Sequence, residues 1–146
     1  MTPWRIAATF FYLGKLPIAP GTWGSLGALF LWLFLPITTS VHLSVILTLF
    51  VLGVYSSHKV AKYLKVHDPS EVVIDEAVGM GISLFMLPHN WVLYLIAFLL
   101  FRFFDILKPS FIYQIQNLPG GWGIMLDDVL AGLFTLAIVS GIAAIL

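Results

Sequence analysis

The chain alternates long apolar runs with short polar or glycine- and proline-rich breaks. Five runs stand out, at residues 26–37, 41–55, 72–87, 91–107 and 129–146. Apolar stretches of this length predict helices. A shorter aromatic stretch, residues 3–13, predicts a short helix lying at an interface. Residues 14–24 (GKLPIAPGTWG) carry two prolines and three glycines and predict a loop, with Ser25 as the N-cap of the run that follows. Pro36 and Thr38-Thr39-Ser40 end that run. The second run decays into a stretch where Lys59, Lys62 and Lys65 recur every three residues, the pattern of a solvated or headgroup-facing helical stripe. Lys108-Pro109 stops the fourth run, and residues 110–126 read as an aromatic and glycine-rich connection that presents Asp127 and Asp128 at the start of the last helix. Neither repeats nor a linker divide the chain, so one domain over residues 1–146 is expected.

Composition turns this helical pattern toward a membrane. Apolar residues make up 60% of the chain, charged residues 10%, and the mean hydropathy is +1.02. Soluble domains average about 45–50% apolar and 25% charged. The expected fold is all-α: a compact membrane-embedded bundle of about five apolar helices plus the short N-terminal interfacial helix. A soluble helical domain with a very large core is the alternative. Crossing a bilayer takes about 20 apolar residues; the second, fourth and fifth runs approach this, and the first and third fall short. No cleavable targeting segment is predicted, because Gly14, Lys15, Pro17 and Pro20 interrupt the N-terminal apolar stretch.

Charge then supplies an orientation. With five crossings and the N-terminus inside, residues 1–25, 56–76 and 102–128 face the cytoplasm and hold every lysine and arginine, as the positive-inside rule requires. A net charge of zero offers no field for nucleic acid, so no nucleic-acid partner is expected; oligomeric state is left open. Without cysteine there is no thiolate nucleophile, disulfide or thiolate zinc site. The histidines show no ligand spacing.

All seven acidic residues fall on the same inner face, and five of them, Asp75, Glu76, Asp105, Asp127 and Asp128, sit at the inner ends of three apolar helices. Neutral residues would be cheaper at the edge of lipid. Carboxylates converging from several helix ends suit an oxygen-seeking cation such as Mg²⁺, which takes one or two carboxylates, waters and phosphate oxygens. Asp68 and Glu71, in a polar turn, are read instead as caps or partners of nearby lysines. Arg102, Asp105 and Lys108 share a helical face, either as a structural ion-pair stripe or with Asp105 on the metal and the two cations countering phosphate charge. The 20–25 segment feeds a helix N-terminus, where free amides form an anion site; Thr22 and Ser25 add hydroxyls and Lys15 a charge. Gly79 and Gly132, each four residues after an aspartate, are expected to permit close helix approach.

With those residues in place, the chain resembles the bacterial phosphatidylglycerophosphatase A family. Four segments carry the match: 14–26 (GKLPIAPGTWGSL), 73–81 (VIDEAVGMG), 101–109 (FRFFDILKP) and 120–132 (GGWGIMLDDVLAG). The resemblance implies a Mg²⁺-dependent, multi-pass enzyme of the bacterial inner membrane with its site facing the cytoplasm. It would hydrolyse phosphatidylglycerophosphate to phosphatidylglycerol and phosphate. Asp75, Glu76, Asp105, Asp127 and Asp128 would be catalytic and hold the metal, while Lys15, Thr22, Ser25, Arg102 and Lys108 would bind substrate. One carboxylate would serve as general base or nucleophile, and the residues alone do not choose between these roles. Another Mg²⁺-dependent lipid phosphatase or phosphotransferase is the nearest alternative. A small ion-coupled transporter is a further one, although it would place its carboxylates near mid-membrane.

Overall fold

The computed structural model describes residues 2–66, 69–107, 114–115, 118 and 121–145. Among the described residues the α-helices run in chain order as α1 (Pro3–Ala8), α2 (Pro20–Phe34), α3 (Thr39–Leu64), α4 (Ile74–Ser83), α5 (Trp91–Leu107) and α6 (Gly121–Ile145), with a 3₁₀ turn at Leu13–Lys15 between the first two. No strand occurs among the described residues, so the all-α expectation holds.

Helix ends show how local chemistry and packing divide the work. Thr38 caps α3 by accepting the Val41 N–H at 3.3 Å, and Lys65, in the left-handed region, ends it. Asn90 caps α5 by accepting the Val92 N–H at 2.9 Å, so α5 spans the residues its apolar pattern predicts. Two other starts differ from the sequence expectation. Helix α2 begins at Pro20, and Ser25 is not its cap: buried in the second turn, it donates its hydroxyl to the Gly21 carbonyl at 2.9 Å. Proline suits a first helical position, since its missing N–H would have no partner there. Helix α6 begins at Gly121, so Asp127 and Asp128 lie in its second turn and not at its start. Glycine is a poor helix former, yet a Cβ on Gly121 would come within 2.1 Å of the Val54 carbonyl oxygen. Packing against α3 outweighs that propensity.

The third apolar run is shorter than its pattern suggests, and its environment is protein. Helix α4 has ten residues, eight of them buried, and packs against α2, α3, α5 and α6. Its apolarity reflects a place at the centre of the bundle. Helices α3 and α6 are different. Both are long and apolar enough to cross a membrane, and only 22% and 28% of their most apolar stretches are buried. Large apolar side chains are also exposed around the outside, among them Phe34, Val51, Trp91 and Leu99. Water-soluble surfaces rarely carry so much.

A close backbone crossing joins α4 to α6. A Cβ on Gly132 would lie 2.6 Å from the Gly79 carbonyl oxygen, and one on Gly79 would lie 2.3 Å from Phe101 and 2.8 Å from the Asp128 carbonyl oxygen. Gly79 follows Asp75 by one turn, and Gly132 follows Asp128 by one turn. The crossing therefore sets two carboxylates at one level.

A separate ion-pair cluster ties the N-terminal region to the 69–73 segment. Glu71 accepts from Arg5 at 2.8 and 3.0 Å and meets Lys15 at 3.1 Å. Burial works against the Glu71 charge, but hydrogen bonds from Arg5 and Lys15 overcome it and hold the carboxyl below its usual range. The Ala8 carbonyl accepts the Val73 N–H at 2.8 Å beside it.

Two outcomes test this packing. Gly132→Ala should lose about 1–3 kcal/mol to overpacking, more than the roughly 1 kcal/mol gained in helix propensity; denaturant unfolding measures the balance. Glu71→Gln should destabilise the protein at neutral pH. Because the folded carboxyl titrates below its unfolded value of 4.5, the deficit should shrink as pH falls below that value. A deficit independent of pH would show that the charge is not what matters.

Candidate active site

Three helices deliver five carboxylates to one place. Asp75 and Glu76 occupy the first turn of α4, where the helix dipole favours negative charge. Asp105 lies near the end of α5, where the dipole opposes it, and Arg102, one turn earlier, compensates by donating directly to Asp105. Asp127 and Asp128 come from α6. Asp75, Asp105, Asp127 and Asp128 are all buried, Asp128 to 1% exposure. Ligand oxygens of Asp75, Asp127 and Asp128 lie within 4.8 Å of one another, and so do those of Glu76, Asp105 and Asp128. Asp128 belongs to both triads.

Such a cluster is electrostatically costly by itself. Five carboxylates face one guanidinium, that of Arg102, among the described residues at the site. Each pair of charges at 4.8 Å repels by about 3–4 kcal/mol at an effective dielectric near 20. Burial pushes the Glu76 carboxyl up to about 7; Asp105 adds to the rise, while a hydrogen bond with Asp75 and the charge of Arg102 oppose it. Glu76 is partly exposed as a residue, but its Oε2 is buried without a hydrogen-bond partner, as are both side-chain oxygens of Asp128. Buried acceptors with nothing donating to them, all oxygen and no sulfur or nitrogen, fit a hard divalent cation.

A cleft of about 400 Å³ opens onto this cluster. Its walls come from Ala19, Pro20 and Gly21 at the start of α2, from Pro69 and Ser70, and from Ile106 on α5; Asp75, Glu76, Arg102 and Asp105 line it as well. At Gly21 a Cβ would sit 3.0 Å from Glu76 Oε1 and 3.1 Å from the Arg102 guanidinium, so the α2 backbone borders the acidic cluster closely.

The residues assigned to substrate separate. Arg102 lines the cleft. Lys15 instead pairs with Glu71 in the N-terminal ion-pair cluster. Ser25 is buried with its hydroxyl committed to Gly21, and neither it nor Thr22 is among the cleft-lining residues. The Thr22 and Trp23 amides already donate to the Ala19 carbonyl, at 3.1 and 3.2 Å, so the anion site expected of the 21–25 amides is partly consumed by the helix itself. Lys108 and Asp68 lie outside the described residues. Ser70 was not legible as a site residue, since a single serine in a polar turn carries no pattern.

A buried, oxygen-only acidic cluster opening on a cleft, within an all-helical fold, has the make-up of a metal-assisted hydrolase site. The family model described as Phosphatidylglycerophosphatase A matches residues 6–143. The chain is 40% identical over 141 residues to the phosphatidylglycerophosphatase A of Escherichia coli strain K12, covering 93% of this chain and 81% of the relative. It is 42% identical to the Haemophilus influenzae protein of the same name, covering 97% and 90%. A Bacteroides thetaiotaomicron protein named "Putative phosphatidylinositol-3-phosphatase" is 40% identical, covering 92% and 90%. No solved structure matches. The chain belongs to the phosphatidylglycerophosphatase A family, and it is an enzyme of the phosphoric monoester hydrolase class.

The electrostatics predict a paired effect for Asp128→Asn. Removing one of five mutually repelling carboxylates should raise the thermal midpoint in EDTA, and the same variant should lose most of any stabilisation that added Mg²⁺ gives the wild type. Melting curves with and without Mg²⁺ read both. A variant stabilised by Mg²⁺ as much as wild type would remove Asp128 from the ligand set.

Proposed function

We propose that this protein hydrolyses phosphatidylglycerophosphate to phosphatidylglycerol and phosphate, with Mg²⁺ held by carboxylates drawn from Asp75, Glu76, Asp105, Asp127 and Asp128. The observation that carries the reading is Asp128, buried with both oxygens unpartnered and shared by two carboxylate triads. The relatives supply the substrate: two at 40% and 42% identity bear that activity in their names. When bound, Mg²⁺ would neutralise phosphate charge and lower the cost of generating a nucleophile.

The chain's own groups do the rest. Arg102, at the cleft wall, binds a phosphate oxygen while donating to Asp105. The first turn of α2 forms one wall of the cleft, with Gly21 beside Glu76 and Arg102. One carboxylate of the cluster accepts the proton of a water that attacks phosphorus, or attacks phosphorus itself to form an acyl-phosphate that water then cleaves. On either route the P–O bond to the lipid glycerol breaks and its oxygen takes up a proton to leave as the hydroxyl of phosphatidylglycerol. Trapping a phospho-enzyme by acid quench and showing that hydroxylamine releases its phosphate distinguishes the two.

We place the enzyme in the bacterial cytoplasmic membrane as a multi-pass protein, with the cleft on the cytoplasmic side. Support comes from the basic residues. Lys59 lies over Trp4 and Arg5 over Tyr63, which gathers α1 and its cations at the lysine-bearing end of α3. A one-sided cluster of Lys and Arg is the mark of the inner face.

A second reading, another lipid phosphomonoester as substrate, is favoured by the name of the Bacteroides relative. Phosphate release should be compared for phosphatidylglycerophosphate, phosphatidylinositol 3-phosphate, phosphatidic acid and glycerol 3-phosphate, each with Mg²⁺ and with EDTA. The first should be fastest and EDTA should abolish it, with Asp128→Asn slower by roughly 100-fold or more. Faster release from the inositol lipid would establish the second reading, and turnover unchanged in EDTA would sink the metal.

A further inference from the structure

Helices α2 and α5 meet at the cleft and diverge along a seam below it. The start of α2 borders the end of α5, where Gly21 approaches Arg102, so the two helices run in opposite directions. Away from the cleft the seam opens into a second hollow of about 310 Å³, lined by Leu26, Phe30 and Leu33 of α2 and Trp91, Leu95 and Phe98 of α5, among others. That lining is apolar throughout, apart from the indole nitrogen of Trp91 and the hydroxyl of Tyr94. Phe30 is 61% exposed and Trp91 75%, so the hollow faces outward, toward the surroundings of the bundle.

Hollow and cleft belong to one stripe. On α5, Trp91, Leu95, Phe98, Arg102 and Asp105 follow at steps of four, three, four and three residues, which keeps them on one helical face. Its first three members line the hollow and its last two line the cleft. On α2, Leu26 lies little more than a turn beyond the cleft residue Gly21. A molecule lying along this face would meet charge at one end and only hydrocarbon below it. From Trp91 to Asp105 the stripe covers about 21 Å at 1.5 Å per residue.

We propose that the α2–α5 seam holds an acyl chain of the lipid whose phosphate occupies the cleft, entering sideways from the membrane. This rests on the reading of the protein as a lipid phosphatase and adds where the lipid's tail lies. Polarity selects the occupant: a phosphate fits beside Arg102, and an uncharged chain fits the apolar hollow. The groove between α3 and α6, lined by Val51, Tyr55 and Trp122 among others, draws its walls from two helices that contribute nothing to the cleft lining, so it lacks that continuity.

Two measurements test the seam. In the first, Leu33→Trp and Leu95→Trp fill the hollow, and Val51→Trp makes the same change on exposed α3. Phosphate release is followed from phosphatidylglycerophosphate with long chains and from its chain-free counterpart, glycerophosphoglycerophosphate. The seam variants should raise KM for the long-chain lipid at least about tenfold while leaving kcat and turnover of the chain-free substrate unchanged; Val51→Trp should alter neither. Equal losses on both substrates, or no effect on the long-chain lipid, would overturn the proposal. In the second, phosphatidic acid bearing a diazirine near its acyl terminus is photolysed with the wild-type protein. Label should concentrate within residues 26–33 and 91–98, and label centred on α3 and α6 would overturn the seam. Because crosslinking needs no turnover, it judges the seam even if neither substrate releases phosphate, a result that would instead refute the lipid phosphatase reading.

Discussion

The close crossing of α4 and α6 is the constraint on which the rest of the structure depends. Gly79 and Gly132 let two backbones touch where any side chain would collide with a carbonyl. That contact draws Asp75 and Asp128 together from helices more than fifty residues apart in the chain. It also brings Phe101 of α5 over Gly79, which positions the helix that carries Arg102 and Asp105. Without the crossing there would be acidic helix ends but no cluster.

What the crossing assembles is unfavourable for the protein alone. Carboxylates buried at these separations repel, and one arginine does not balance them. Stability elsewhere tolerates this: α4 is enclosed on every side by other helices, and Trp32, Met80 and Met125 fill the space around it. Packing around α4 thus holds the site in place against this repulsion, as expected where function sets the residue choice. A bound cation would convert the repulsion into coordination. The Arg5–Glu71–Lys15 cluster, by contrast, meets its one carboxylate with two cations, and it anchors α1 to the segment entering α4.

Legibility followed the source of each signal. Helix α5 could be read from the sequence because its start has its own cap and its apolar pattern runs to Leu107, interrupted only by Arg102 and Asp105. The five acidic residues were legible because charge is rare in so apolar a chain. Lys15 misled, since its place in a glycine-rich loop says nothing of Glu71 across the fold. Ser25 misled for a similar reason: its hydroxyl satisfies a backbone carbonyl within a helix that begins earlier than propensity suggests.

The sequence by itself determined the helical class and the set of acids available for chemistry, because periodicity, composition and residue identity are properties of the chain alone. It also marked Gly79 and Gly132 by their spacing from Asp75 and Asp128. Only the tertiary structure decided that α4 is a core helix, that α6 starts at Gly121, and that Asp128 stands in two triads at once. Burial by protein and burial by lipid favour the same apolar residues, so an apolar run cannot say which surrounds it. A triad depends on how helices cross, and crossing is set by contacts between residues distant in sequence.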